Sequence, residues 1–433
     1  MESRQGLALH WKILIGLVIG AAAGLAANTL APRVNGAPNP TVEWLAMNVA
    51  DPIGQIFLRL IFMVVVPLVF AALVLGIAEI GDMRKLGRVG MRTLVMTLIL
   101  STCSVGIGLV LANTLRPGDR LSAEQKEQLS KSFKTDTDKA LANVAKAKGL
   151  KDSLLDLIPR NPLQEMVGAL DGSSPGGGML AVMVFALFVG VAITLNPARC
   201  GPLVNVLEGM YDIAMTIIGM AMKLAPFGVA ALMFKLSATL GFDIVKTLGW
   251  YVLAVVGGLA IHMFGVYSLV VVVFAKMSPR KFFGSISEAI LTAFATSSSS
   301  ATLPTSLRVT EENLGVKRET ASFVLTVGST ANQNGTALYE GITVLFLAQL
   351  FGVALTGSQQ LQVVLMSILA GVGTAGVPGG SLPLVAMVLQ SVGVPPESIG
   401  VILGVDRLLD MCRTTLNVTG DILIATCVDR ADT

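Results

Sequence analysis

The sequence predicts an all-α membrane protein: eight transmembrane helices plus two re-entrant helical hairpins, the last third forming an inverted repeat. Three observations predict it. Apolar residues make up 53% of the chain and charged ones 14%, with a mean hydropathy of +0.73; a soluble domain carries about 25% charged residues. Apolar segments long enough to cross a bilayer recur near 10–31, 43–80, 87–113, 153–197, 202–237, 243–276, 318–352 and 397–427. Two further apolar segments, 279–309 and 359–393, are interrupted in the middle by residues that break helices.

In chain order, Met1 to Trp11 is short and polar, and the apolar run Lys12 to Ala31 lacks a small-residue cleavage site, so it is expected to remain as a first helix. Pro67 and Pro226 lie inside spans and are expected to kink them. Arg116 to Asp152 is the one hydrophilic insertion, rich in Lys, Glu and Ala, and reads as a solvated loop or a short exposed helix. The first broken segment carries Ser297-Ser298-Ser299-Ser300; the second carries Gly371, Gly373, Gly376, Pro378, Gly379 and Gly380. Each reads as two half-helices meeting at a non-helical tip, which membrane depth tolerates only against protein or a cavity. Positive charge at Arg4, Lys12, Arg84, Lys85, Arg88, Arg92, Lys276, Arg280, Lys281, Arg308, Lys317 and Arg318 marks the cytoplasmic side. Both termini are then cytoplasmic, the serine hairpin enters from inside, the Gly-Pro hairpin enters from outside, and 116–152 lies outside despite its lysines. Opposed broken helices place a site where their ends meet at the midplane.

Other classes are excluded by what is missing. Net charge is +3 with no basic stripe interleaved with aromatics, so nucleic acid is not an expected partner. Cys103, Cys200, Cys412 and Cys427 have no metal or pairing spacing and read as small packing residues. With only His10 and His262, a histidine metal site or catalytic triad is not expected, and His262 reads as packed or hydrogen-bonded. No enzyme is expected: Ser297–Ser300 have no His or Lys base nearby in sequence and no nucleophile elbow.

The polar residues concentrate where the breaks are. Asp406, Asp410, Arg413, Asn417 and Asp421 follow one another at spacings of 4, 3, 4 and 4, which at ~100° per residue puts them within roughly 80° of one helix face. A charge at the bilayer centre costs about 3 kcal/mol, so this stripe must face protein, water or a ligand. A second cluster, Thr330-Ala331-Asn332-Gln333-Asn334-Gly335-Thr336 followed by Glu340, suggests local unwinding at Gly335 that frees carbonyls for a cation. Taken alone, this cluster reads equally as interhelical polar glue.

The serine tip, Asn332 to Tyr339, Gly373-Thr374-Ala375-Gly376-Val377-Pro378-Gly379, and Asp410-Met411-x-Arg413-Thr414-x-x-Asn417-Val418-x-Gly420-Asp421 resemble the glutamate/aspartate transporters. These are the dicarboxylate/amino acid:cation symporters, and the chain resembles a prokaryotic homologue of the excitatory amino acid transporters over essentially its whole length. The resemblance implies a homotrimer in the cell inner (plasma) membrane. It implies scaffold helices in 1–80 and 153–240, and a transport domain in 81–115 and 241–433 that slides as an elevator. The extracellular insertion is 116–152, and the Gly-Pro hairpin is the outer gate. For the substrate it implies that Arg413 grips a side-chain carboxylate, Asp410 takes the α-amino group, and Asn417, Thr414 and Thr336 bind carboxylates, while Ser298, Ser299, Val377 and Ser381 belong to the tips. Arginine's planar fork suits that pairing. Together Asp410 and Arg413 favour L-aspartate or L-glutamate over a C4-dicarboxylate or a neutral amino acid. A buried salt bridge without a ligand is the plain alternative, and a pure channel is the rival among transport proteins.

No cofactor is implied; the coupling ion is H+, Na+ or both. One sodium site of the family corresponds to Gly328, Asn332, Asn417 and Asp421, and a second to backbone carbonyls of Thr330, Gly371, Val372 and Thr374. A third departs from the pattern, with Asn334 in place of an aspartate and Thr97 and Leu100 in place of a tyrosine and a threonine, leaving Ser101. An amide for a carboxylate weakens a hard-cation site, so this site is expected to be lost. Glu340 matches a glutamate proposed to carry a proton, and a midplane carboxyl group crosses most easily as the neutral acid. The tip arginine of the family is absent at Ser297 and Met411, and Arg407 is the candidate for its charge-balancing role.

Overall fold

The computed structural model describes residues 9–31, 39–83, 88–132, 155, 158–168, 179–373 and 381–431. Among these residues every regular element is helical. Five helices are long and apolar enough to cross a membrane: Trp11–Leu30, Pro40–Ala78, Arg88–Arg120, Pro197–Leu240 and Phe242–Val273. The other three expected spans fall short of that measure for separate reasons. In 153–197 the described apolar helix is only Met179–Leu195. In 318–352 the helix is split, and Leu403–Arg430 carries the charged stripe.

The longest helix, Pro197–Leu240, has 44 residues and so spans about 66 Å. Leu9–Leu30 packs along it, with Gly16, Gly20 and Gly24 set against the backbone of Pro226, Ala230 and Phe234. Side chains at those three positions would hold the helices apart. Asp51–Phe62, Val65–Met83 and Met179–Leu195 complete this group. The two prolines behave differently. The helix breaks at Met63–Val64, where Pro67 leaves the Met63 carbonyl without its usual N–H donor. The long helix instead runs through Pro226 without interruption.

A second group packs around Asn334–Leu350, which touches Arg88–Leu115, Phe242–Ala260, Gly357–Gly373, Leu382–Ser391 and Leu403–Arg430. The serine segment forms Pro279–Ser285, Ser287–Thr296 and Ser299–Glu312. Its break falls on Ser297, in the left-handed region at φ +51°, and on Ser298, whose Oγ accepts the Ala301 N–H at 3.1 Å and caps the next helix. The Gly-Pro segment forms Gly357–Gly373 and Leu382–Ser391; residues 374–380 between them lie outside the described part. Unwinding of the polar cluster falls on Asn332 and Gln333, at φ/ψ −119/75° and −106/57°. Gly335, expected to be the unwound residue, is inside the following helix.

Of the insertion, the described part is a turn at Pro117–Arg120 and a helix Ala123–Ser132. Lys126 donates to the Gln349 carbonyl at 2.8 Å and Arg120 lies 4.0 Å over the Trp250 ring, so this part is docked on helix ends. Cys103 is exposed and so does not pack within the chain, contrary to expectation.

Candidate functional site

The C-terminal helix Leu403–Arg430 is the spine of the site, touched by Ser287–Thr296 and Ser299–Glu312 of the serine segment and by both halves of the split helix. Asp406, Asp410, Arg413, Asn417 and Asp421 are all buried, as an intramembrane stripe requires. Arg413 Nε and Nη2 both lie 3.0 Å from Asp410 Oδ1, and Nη1 lies 3.5 Å from Asp406 Oδ1. Arg407 Nη1 holds the other Asp410 oxygen, Oδ2, at 3.1 Å. The guanidinium of Arg413 stacks 4.3 Å over the Tyr339 ring, and the Tyr339 hydroxyl donates to Asp406 Oδ1 at 2.7 Å. Two carboxylates and two guanidinium groups thus form one alternating ladder. Arg413 Nη1 and Arg407 Nε are buried and have no hydrogen-bond partner, so the ladder keeps donor capacity in reserve.

The unwound turn lies against the same helix. Asn417 Oδ1 accepts the Gly335 N–H at 2.7 Å, and its amide group donates to Gln333 Oε1 and, at 3.3 Å, to Thr336 Oγ1. Asn332 Nδ2 donates to Asp421 Oδ1 at 2.7 Å. A side chain at Gly328 would begin 2.5 Å from that same Asp421 oxygen. Gly328, Asn332, Asn417 and Asp421 are therefore brought together, and Asn332 Oδ1 is a buried acceptor without a partner. Gly335 has a use the sequence did not reveal. A Cβ there would sit 2.6 Å from the Arg413 carbonyl oxygen, so glycine lets the split helix lie directly on the backbone that carries the ladder.

Both broken segments pack against this region. Ser297, Ser298, Ser299 and Ser381 are buried, and the hydroxyls of Ser297 and Ser381 have no hydrogen-bond partner. Gly371 lies 3.6 Å, measured from an added Cβ, from the Gln333 carbonyl oxygen, which seats the end of Gly357–Gly373 on the unwound turn. Thr414 is buried on the spine. Val377 and Thr374 lie outside the described residues; Thr330 and Val372 are described only as backbone within Arg318–Ala331 and Gly357–Gly373.

Asn334 is occupied by protein groups. Its Oδ1 accepts from Ser101 Oγ at 2.6 Å, its Nδ2 donates to the Tyr267 hydroxyl at 3.1 Å, and its carbonyl accepts from Ser104 Oγ at 2.6 Å. Tyr267 in turn lies 3.3 Å from the Leu416 carbonyl. Thr97 and Leu100 are buried one turn and one residue away from Ser101. His262 is packed edge-on to Tyr267 at 4.8 Å, and neither ring nitrogen is hydrogen-bonded. Glu340 is fully buried, and neither of its oxygens has a hydrogen-bond partner.

Sequence reasoning assigned no site role to Asp406, Tyr339, Gln333, Ser104 or Tyr267. Asp406 carried a signal, since it opens the charged stripe. Tyr267 and Ser104 carried none, because a lone hydroxyl in an apolar helix is ordinary.

A family model described as the sodium:dicarboxylate symporter family matches residues 9–431. The chain is 32% identical over 424 residues to the proton/sodium-glutamate symport protein of Bacillus subtilis (strain 168), covering 98% of this chain and 92% of that one. It is 33% identical over 419 residues to the proton/glutamate-aspartate symporter of Escherichia coli (strain K12), covering 96% and 91%. It is 30% identical over 455 residues to excitatory amino acid transporter 2 of Homo sapiens, covering 94% and 76%.

Proposed function

The chain belongs to the sodium:dicarboxylate symporter family, a family of transporters rather than enzymes, and from that premise we propose that it takes up an acidic amino acid, L-aspartate or L-glutamate, by proton-coupled symport. The observation that carries this reading is the buried ladder of Asp410 and Arg413, on a helix that packs against the split helix at Gly335 and against Ser287–Thr296 and Ser299–Glu312. An ammonium and two carboxylates on one small solute match an acceptor and a planar donor fork about 3 Å apart. Substrate binding then exchanges partners: the distal carboxylate replaces Asp410 on Arg413, and the α-amino group replaces guanidinium on Asp410. Arg407, 3.1 Å from Asp410, balances its charge. Thr336, Asn417, Thr414, Ser298, Ser299, Ser381 and Val377 complete the substrate contacts in this reading.

Proton coupling is supported by Glu340, a buried carboxyl group without hydrogen-bond partners, and by the filling of Asn334 with protein partners where a third cation would need anionic oxygen. Sodium coupling is the second reading. It is favoured by the meeting of Gly328, Asn332, Asn417 and Asp421, with an acceptor of Asn332 to spare; carbonyls of Thr330, Gly371, Val372 and Thr374 would form a further site.

For the assembly we infer eight spans with cytoplasmic termini in the inner membrane, and two re-entrant hairpins. In this reading 81–115 and 241–433 move as an elevator against 1–80 and 153–240, in a homotrimer. The packing of Arg88–Leu115 with Asn334–Leu350, apart from the group around Pro197–Leu240, supports the division. Glu208, Asp212, Thr216 and Lys223 are exposed on Pro197–Leu240 and share a face about 80° wide. Charges of both signs on an apolar helix call for cover by protein, which supports self-association.

The test is uptake of labelled L-aspartate into proteoliposomes under an imposed pH gradient, with and without sodium. Saturable, stereospecific counterflow is expected and separates a carrier from a channel. Uptake indifferent to both gradients would reject ion coupling of either kind.

A further inference from the structure

Glu340 has one polar neighbour that the proposed mechanism does not use. Ser367 lies on Gly357–Gly373, is fully buried like Glu340, and its hydroxyl, like both Glu340 oxygens, makes no hydrogen bond to any other group. The packing places the two side by side. Gly371 faces the Gln333 carbonyl and Ala337 Cβ, at 3.6 and 3.8 Å from an added Cβ. One turn back along this helix is Ser367, and one turn forward along its antiparallel neighbour is Glu340, so the two residues lie on facing turns of the helix pair. The Ser367 hydroxyl and the two Glu340 oxygens are thus three buried polar atoms without partners on facing turns.

We propose that Ser367 is a positioning residue: its hydroxyl is the donor that receives Glu340 as a carboxylate when the proton leaves, and so sets the pH at which the carrier releases its proton. The proposal rests on the proton-coupled reading above. A protonated carboxyl group brings its own donor and can share one hydrogen bond with a serine in either direction. A carboxylate is acceptor only, so it depends on a donor from outside. Hydrogen bonds to a charged partner are roughly twice as strong as neutral ones, which makes the serine worth more to the ionised state. The proton departs to water and the carboxylate accepts the Ser367 O–H; nothing else is consumed.

Other groups offer little competition. Gly357–Gly373 and Leu382–Ser391 contain no titratable side chain. On Phe242–Ala260, the Tyr251 hydroxyl is engaged with Thr343 at 2.7 Å, and Asp243 and Lys246 lie at the far end of the helix. On Arg88–Leu115, Arg88 and Arg92 lie two turns or more before the Asn334 contact at Ser101, and Cys103 is exposed. Asp119 and Arg120 are taken by Lys126 and Trp250. Of the charges on Leu403–Arg430, Asp406, Arg407, Asp410 and Arg413 are committed within the ladder, Asp421 accepts from Asn332, Asp429 accepts from Thr320, and Arg430 donates to the Ala275 carbonyl.

The experiment is the pH profile of net aspartate uptake in proteoliposomes of the full chain. In Ser367→Ala the alkaline limb is expected to move up by about one pH unit, a tenfold change in proton release, with aspartate affinity at acidic pH unchanged. Ser367→Thr is expected to restore the profile. Ser367→Cys, close in size with a weak donor, moves it the same way as alanine and covers impaired folding of the alanine variant. Glu340→Gln is expected to flatten the profile, and Ser367→Ala added to it should change nothing more. An unmoved limb in both Ser367→Ala and Ser367→Cys, alongside a flattened Glu340→Gln profile, overturns the role of Ser367 alone. A wild-type profile in Glu340→Gln overturns the proton-carrier reading, and this role with it.

Discussion

Replacing Arg413 by alanine tests the site at its centre. This guanidinium makes two 3.0 Å contacts to Asp410, a 3.5 Å contact to Asp406 and a 4.3 Å stack on Tyr339. Its removal leaves Asp410 with Arg407 at 3.1 Å and Asp406 with the Tyr339 hydroxyl at 2.7 Å, so neither carboxylate is stranded and the variant is expected to fold. The loss appears on binding, where a buried substrate carboxylate meets no fork. Truncating one member of such a pair costs about 2–5 kcal/mol, and at about 1.4 kcal/mol per decade aspartate affinity should fall by roughly 30- to 4,000-fold. Arg413→Lys keeps the charge but not the planar fork and should fall between wild type and alanine. The assay is equilibrium binding of labelled aspartate to purified protein, with size-exclusion elution confirming an intact fold. Undiminished affinity in a folded Arg413→Ala protein would refute the assignment of the distal carboxylate to this residue.

Asp410→Asn should weaken aspartate by about 2 kcal/mol or more while competing succinate, which has no amine, loses far less; equal losses in a competition assay would count against Asp410 as the amine acceptor. Asp421→Asn removes the carboxylate beside Gly328 and Asn332, and sodium stimulation of aspartate binding should need at least about tenfold more sodium. Gly335→Ala would set a Cβ 2.6 Å from the Arg413 carbonyl oxygen, and overpacking of that kind costs about 1–3 kcal/mol, read as a lower Tm in a thermal melt. Lys223→Ala should reduce the oligomeric fraction in mild detergent, measured by light scattering, if the exposed polar face of Pro197–Leu240 is covered by another copy.

Periodicity made the helices legible, because a bilayer imposes a length and a polarity that few residues can violate. It also made the violations legible, and the stripe from Asp406 to Asp421 is buried along its whole length. Breaks were readable to within a few residues wherever chemistry forces them. Four consecutive serines end one helix and begin another by capping, and the break settles on Ser297 and Ser298. Gly335 misled for an instructive reason. Glycine serves both to unwind a helix and to let two backbones meet, and sequence alone does not separate these uses. Here the chain unwinds at Asn332 and Gln333, and Asn417 on the facing helix accepts the Gly335 N–H that would otherwise bond within the helix.

What stayed hidden was partnership across helices. That Asn334 would be saturated by Ser101, Ser104 and Tyr267 depends on which faces of three distant segments meet, and separations of 233, 230 and 67 residues leave no periodic trace. The same network shows why the substitution is coherent. An amide has one acceptor oxygen and one two-hydrogen donor, and the surrounding hydroxyls use both. A carboxylate in its place could not donate to Tyr267, and would bury a charge against groups arranged for a neutral dipole. Asn334→Asp is therefore expected to destabilise the protein unless a cation binds with it. A larger rise in Tm on adding sodium in Asn334→Asp than in the wild type is the expected sign that a cation site has been recovered; destabilisation that sodium leaves untouched would mean that the hydroxyl cage no longer has room for an ion.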